Sequence, residues 1–470
     1  MQATTTKPQR ILVVTDDAVG STMAGPAIRA WNIAKVLADA GHDVRLASTL
    51  RAEGSSPDFA ICDGSPEFLP GLARGMDVIV TQGFTLKYRP WLADMGAKMV
   101  VDLYDPIHLE TLEGEGDDGV DIHQSRVDNC LDALQVQMLA GDFFLCASPA
   151  QRQLWLGHLS ALGRINVRTY AQDSSLEKLI AIAPFGISET PPQPLLPDGR
   201  HAIKGTVAGI EPDDTLLLWA GGVYNWFDPV TLVRAVAALA PEHPRLKLMF
   251  MGTKHPSLDD LSTTVLRQAV ATAEQLGLLA SRVFFREGWV PYEQRGAYLS
   301  DADIGVSTHF LHAETAFSFR TRMLDYLWAG LPMVGTEGDE FARLIAADGL
   351  GAVVPATDVP ALTAALRRLL DDPAALAAAA EQVRRLAPDY YWRKALAPLV
   401  EYCADPYFAA DRGHPSGVMG TAQRLGAGID KRTAHLQEYL RVNGAGMLLR
   451  RAPRLAARRV AAIGRRLGGS

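Results

Sequence analysis

The sequence predicts two α/β domains of the Rossmann type, and three observations point there. An apolar run, a Gly-containing loop and a helix-length segment open the chain over residues 11–48. A Pro- and Gly-rich stretch at 188–214 then interrupts the alternation, and the same strand–loop–helix order restarts at 216. At 470 residues the chain exceeds one ordinary core, which suits two.

Composition narrows the function classes. Hydrophobic residues make up 48% and charged residues 21%, the balance of a globular chain. The formal net charge of −7 gives no reason to expect nucleic acid as a partner. Cys62, Cys130, Cys146 and Cys403 are scattered without metal-ligand or disulfide spacing, as in a reducing cytoplasm. The opening MQATTTKPQR lacks an apolar stretch, so no secretory signal is expected. No apolar run approaches the ~18–20 residues of a membrane span.

In order, 11–15 (ILVVT) is a buried parallel strand, 27–40 a helix closed by Gly41, and 44–48 the next strand. Between them DDAVGSTMAGP supplies Gly20, Gly25 and Pro26, which suit a tight turn or the approach of a phosphate or acceptor. Strands follow at 76–81 and 97–103. Asp102, Asp105, His108 and Glu110 stand at or just past a strand's carboxyl end, the edge where such sheets bind ligands; they are candidates to contact an acceptor hydroxyl. A helix at 124–140, a strand at 142–147, a helix at 149–159 and the strand-plus-turn stretch 180–186 complete domain 1–187.

Domain 215–387 restarts with a strand at 216–220, then Gly221-Gly222 and a loop running to Asp228 as N-cap and Pro229 at the first helical position. Strands at 246–251 and 283–285 follow, with Lys254 either a cation for a diphosphate or a solvated lysine. The strand at 302–307 delivers ETAFSFRTRMLDYLWAGLP, residues 314–332, around which the site is organised. Met323, Leu324, Leu327 and Trp328 recur at helical spacing, and Gly330 and Pro332 end the helix. Its start at 318–321 leaves free N–H groups beside Ser318, Phe319, Arg320 and Arg322, an anion site suited to a diphosphate. Asp325 is placed for the two hydroxyls of a ribose and Glu314 for a sugar ring. No metal ligand set is evident, because the aspartates of DDAVG have no third partner.

DYLWAGLPMV resembles the donor-site motif of retaining GT-B glycosyltransferases of the family-four type, where E-x7-E runs into a helix ending AxGxPVV. Asp325 takes the second glutamate's place; eight residues earlier stands Phe317, with Glu314 three residues before it. The resemblance covers roughly residues 10–405 and implies two Rossmann-like domains facing across a cleft. The acceptor would lie on the first and a nucleotide-sugar donor on the second. It further implies that Gly221 and Gly222 let backbone N–H groups approach the donor phosphates, although the usual basic residues of that loop are absent. Trp289 and Val290 would flank the base, with Trp289 equally suited to the core. Arg320, Arg322 and the helix N-terminus would stabilise the departing diphosphate without a metal or other cofactor. Glu314 would orient the sugar, His108 would act on the acceptor side, and configuration would be retained.

Residues 388–405 resemble the helices that return to the first domain in this family. In the tail 406–470, the stretch from Arg450 to Leu467 carries seven arginines and no acid, with the arginines on one half of a helix. That pattern suits an anionic membrane surface, a solvated tail or a partner helix. The expected protein is a cytoplasmic glycosyltransferase, peripheral on the inner face of the plasma membrane, acting on a glycan or lipid-linked acceptor in cell-surface polysaccharide synthesis. Two alternatives share the fold: a nucleotide-sugar epimerase or phosphorylase, and a non-catalytic, membrane-tethered donor-binding scaffold.

Overall fold

A computed structural model describes residues 7–20, 23–114, 119–252, 263–288 and 290–414. Trp289, Lys254 and the stretch 450–467 lie outside the described residues. Two all-parallel sheets organise the chain. The first is built from β1 (Arg10–Thr15), β2 (Asp43–Ser48), β3 (Ala60–Asp63), β4 (Val78–Gln82), β5 (Lys98–Asp102), β6 (Phe143–Cys146) and β7 (Ile180–Ile182), in the order β3-β2-β1-β4-β5-β6-β7. The second holds β8 (Thr215–Trp219), β9 (Leu246–Phe250), β10 (Val283–Phe285), β11 (Ile304–Ser307), β12 (Met333–Thr336) and β13 (Gly351–Val354), in the order β10-β9-β8-β11-β12-β13.

Strands covered by helices on both faces must be apolar throughout, and β1, β4, β6, β8 and β11 are almost wholly buried. Each was legible for that reason. β3 has no counterpart in the sequence reading: it is a four-residue edge strand, AICD, without a buried residue. The tight middle of the second sheet depends on Gly305, where an added Cβ would run into the ring of Tyr326. The Tyr326 hydroxyl accepts from the N–H of Ala220 at 2.9 Å and lies 2.8 Å from each of the carbonyls of Leu218 and Val306, which share its single proton. One buried phenol thus holds together the carboxyl ends of β8 and β11, where the site begins. Tyr326→Phe leaves the Ala220 N–H unpaired and is expected to cost about 1–3 kcal/mol in denaturant unfolding, with the fold retained.

The helix Thr321–Ala329 stops at Gly330, whose φ of 69° is left-handed, ahead of Pro332. Pro229–Leu239 starts as its sequence indicates, with the Asp228 carboxylate accepting from the Thr231 N–H at 3.0 Å. The stretch 188–214 has neither helix nor strand, yet it is fixed to the second sheet's domain. Asp301 accepts from the Ile203 N–H at 2.6 Å and from His201 at 2.5 Å, and Lys204 pairs with Asp303 at 2.8 Å.

The chain leaves the first domain at Ile187 and re-enters it beside the same residue. Ile187 N–H donates to the Tyr390 carbonyl at 2.8 Å, and Trp392 N–H donates back to the Ile187 carbonyl at 3.1 Å. Trp392 packs its ring 4.8 Å from that of Phe185, over Gly186, where no Cβ would fit. The helices Trp392–Ala395 and Ala397–Ala404 then lie against the first-domain helix Gly25–Asp39. Among the described residues no helix is long and apolar enough to cross a membrane.

Candidate active site

In open α/β sheets, ligands bind outside the strand ends where the strand order reverses. In the first sheet the reversal lies between β1 and β4, and in the second between β8 and β11. The two crevices face each other and enclose a cleft of about 460 Å³. Gly25, Asp105 and Glu110 line it from the first domain; Gly221, Gly222, Val290, Ser318, Phe319, Arg320, Arg322 and Asp325 line it from the second. Gly221 needs its glycine, with φ at 94°.

At the cleft floor the guanidinium of Arg322 is clamped between aromatic rings, 4.4 Å from the Trp219 centroid and 4.0 Å from that of Phe227. Its Nη2 donates to the Gly222 carbonyl at 2.5 Å, whereas Nη1 is buried without a hydrogen-bond partner. Burial depresses the pKa of Arg322 to about 10. A cation held in this way, beside the N–H groups opening the helix Thr321–Ala329, is poised for an anion. Asp325, one turn in, pairs with Arg295 at 3.2 Å, and burial raises its pKa.

Comparison with known proteins fits this geometry. Residues 214–372 match the family model described as glycosyl transferases group 1. The second sheet belongs to a glycosyl transferases group 1 domain. A curated relative, D-inositol 3-phosphate glycosyltransferase of Rhodococcus opacus, is 24% identical over 205 residues, which is 44% of this chain and 44% of that protein. The chain therefore spans less than half the length of the curated relative it matches. Sucrose-phosphate synthase from Thermosynechococcus elongatus has 17% identity and a TM-score of 0.59, with 84% of this chain and 98% of that one covered. WaaG, a glycosyltransferase involved in lipopolysaccharide biosynthesis, has 18% identity and a TM-score of 0.57, with the same coverage. Anabaena HepE in complex with UDP and glucose has 12% identity and a TM-score of 0.59, covering 84% of this chain and all of its own. These structures share the two-domain GT-B fold with the chain.

Other sequence candidates sit differently from their expected roles. Glu314 does not line the cleft: it is 1% exposed and forms a two-pronged pair with Arg320 at 2.7 and 2.6 Å. The carboxylate proposed for a sugar ring instead reaches from the helix Ala313–Phe317 onto a guanidinium six positions later. Asp102 is likewise occupied, because both its oxygens bind the fully buried Arg29 at 2.5 and 2.9 Å. Arg29 also donates to the carbonyls of Ala183 and Pro184, which ties the Gly25–Asp39 helix to the strand leading out of the domain. His108 points away from the cleft, its ring 6.0 Å from Trp155, where burial lowers its pKa to about 4. Gly20 lines a neighbouring groove beside Trp31 and Trp392. Asp16 accepts from Thr49, Thr85 and Arg89.

Around the Glu314–Arg320 pair the two domains are sealed together. The short helix Ala313–Phe317 packs on the first-domain helices Ile107–Leu112 and Pro149–Ala161. Gln151, fully buried, donates to the carbonyls of both Tyr104 and Phe317 at 2.8 and 2.9 Å. His312 lies 3.7 Å from Glu314 and 3.7 Å from Glu113 of the first domain. Arg295 and the aromatic pair Tyr224 and Trp226 are the site residues that sequence reasoning missed. Arg295 carries no local motif; YNWF stands in the loop after β8 where a basic residue was sought.

His309 sits beneath this network, with Nε2 donating to the Glu337 carbonyl at 3.0 Å, and burial together with Arg320 lowers its pKa to about 3. Unfolding returns it to about 6.5, so below that pH the unfolded chain binds a proton that the folded one does not. Stability from this group is therefore lost as pH falls from 6.5 towards 3, by up to about 1.4 kcal/mol per pH unit. Asp105 and Asp339 act oppositely, since burial holds their protons up to about pH 6. The difference between wild type and His309→Gln isolates the histidine: the variant's unfolding free energy should fall less steeply between pH 6.5 and 4.

Proposed function

We propose that the protein transfers a sugar from a nucleotide-diphosphate sugar to an acceptor hydroxyl, with retention of configuration. The observation that carries this reading is the unpartnered, buried Nη1 of Arg322 at the mouth of a helix, beside the Gly221–Gly222 loop. Such a cation is costly to bury unless an anion completes it, and a diphosphate matches both the charge and the row of N–H groups. Arg322 and the helix N-terminus would stabilise the leaving diphosphate as charge develops, and no metal is invoked. Asp325, steered by Arg295, would hold the ribose. Because HepE is described with UDP and glucose, a UDP-sugar is the first donor to offer.

Cell-surface glycan synthesis, with a glycan or lipid-linked acceptor, belongs to the same proposal. The arginine-rich stretch 450–467 would hold the protein at an anionic membrane surface on the cytoplasmic side. The engagement of Glu314 by Arg320 favours one second reading, a donor-binding scaffold without turnover.

The test is a thermal-shift panel of UDP-, GDP-, ADP- and TDP-sugars on the full chain, followed by assay of nucleoside diphosphate release with and without a cell-wall glycan extract. A binder at ~100 times its dissociation constant adds about 2.7 kcal/mol. Stabilisation by one nucleotide class with acceptor-dependent release supports transfer. Stabilisation without release supports the scaffold, and no stabilisation removes both readings.

A further inference from the structure

The two walls of the cleft differ in chemistry. On the second-domain wall, beyond Gly222, the rings of Tyr224 and Trp226 are stacked, with centroids 4.9 Å apart and planes inclined by 23°. Both line the cleft and are only half-buried, in a loop with no cationic side chain of its own. On the first-domain wall Asp105 and Glu110 line the same cleft; burial raises both pKa values and the charge of Asp105 raises that of Glu110 further, so the pair shares a proton and carries one negative charge. Glu110 and Tyr224 line the one cleft from its two domains, so the acid pair and the aromatic pair border the same space.

The cations are distributed unequally. Arg322, 7% exposed and with Nη1 unpartnered, opens onto the donor end. Arg320 also borders the cleft, but its two terminal nitrogens are held by Glu314. An anionic group entering between Asp105, Glu110 and the aromatic pair would thus meet the negative charge of the acid pair, while the charge of the nearest guanidinium, Arg320, is balanced by its ion pair with Glu314. A sugar ring has what this space lacks: a C–H face that stacks on aromatic rings, and hydroxyls that donate to carboxylates.

On the reading that the protein is a sugar transferase, we propose that its acceptor is an uncharged sugar ring, stacked on Tyr224 and Trp226 with its hydroxyls donating to Asp105 and Glu110. The site selects neutral glycans against phosphorylated ones by the sign of its first-domain wall. Asp105 and Glu110 are then specificity-determining residues.

The experiment uses the full chain saturated with UDP, probed by saturation-transfer NMR with the methyl α- and β-glycosides of glucose, galactose and mannose, and with glucose 6-phosphate and mannose 6-phosphate. At least one neutral glycoside should bind saturably, about tenfold or more tighter than the phosphates. Trp226→Ala should weaken it about tenfold, Trp226→Phe should restore it, and the Asp105→Asn/Glu110→Gln double variant, which removes the charge of the pair, should narrow the preference over the phosphates. Tighter binding of a sugar phosphate, no glycoside binding while UDP binds, or unchanged binding in a folded Trp226→Ala variant would overturn the proposal. Glycoside binding without UDP binding would uphold the ring site and remove the donor reading instead.

Discussion

On the proposed transferase reading, replacing Arg322 by Met should lower transfer from a nucleotide sugar by roughly 10²–10³-fold while leaving the ligand-free protein as stable as before or more so. Both halves of that result follow from one geometry. The guanidinium is 7% exposed, and Nη1 has nothing to bind within the protein. Its pKa of about 10 reflects a charged form penalised by roughly 3 kcal/mol through loss of water. Contacts with the faces of Trp219 and Phe227 return about 2 kcal/mol. Met fills the same slot without a charge, so a net gain of about 1 kcal/mol in denaturant unfolding is expected. With nucleotide present the order reverses, because only the wild type gains ligand stabilisation. A Met variant that binds UDP as tightly as the wild type would remove Arg322 from the anion site. Activity held at the expense of stability is the pattern of a site under functional constraint.

Glu314→Gln has the opposite signature. The residue is 1% exposed, and its loss leaves Arg320, itself 6% exposed, without its two-pronged partner. Breaking a buried pair from one side costs about 3–5 kcal/mol, because the remaining charge is uncompensated. Asp339, 3.9 Å from the Arg320 Nε, is too remote to replace the lost contacts. Arg320→Met should cost a similar amount, and the Glu314→Gln/Arg320→Met double variant should recover part of the loss, with a coupling of about 2–3 kcal/mol. A carboxylate that held the donor sugar would behave otherwise: the donor KM or kcat would move and unfolding would stay within about 0.5 kcal/mol. Unfolding curves of the three variants separate the two roles. Additive losses would deny the pair its structural role.

These two residues show how far the sequence could be read. The helix at Thr321–Ala329 was legible because its apolar spacing and its Gly330–Pro332 stop are local, and so was the approach of Arg322 to its N-terminus. The strands were legible because a doubly covered parallel strand has to be apolar; β3, an edge strand, escapes that rule. What sequence could not supply is pairing over distance. Arg29 and Asp102 are 73 residues apart, and nothing near either announces the other. Glu314 and Arg320 are close in sequence but meet across a loop whose path is set by Gln151 and the helices of the other domain. Asp105 and Glu110, read from their place at a strand's carboxyl edge, do line the cleft. His108, between them, turns inward to Trp155 because helical periodicity sends it to another face.

The side-by-side passage of the chain at Ile187 and Tyr390–Trp392 has a consequence for how this architecture can be altered. The chain between those points departs and returns at almost one place, so it is an insertion into the first domain. Its two ends already meet, held by a pair of backbone hydrogen bonds. A segment with adjoining ends can be exchanged as a cassette while its host keeps its own termini and core. Swapping the segment 188–390 for that of a relative would then change the half built on the second sheet while the half built on the first stays whole. The matched face around Gln151 and the helix Ala313–Phe317 is what such a graft would have to preserve.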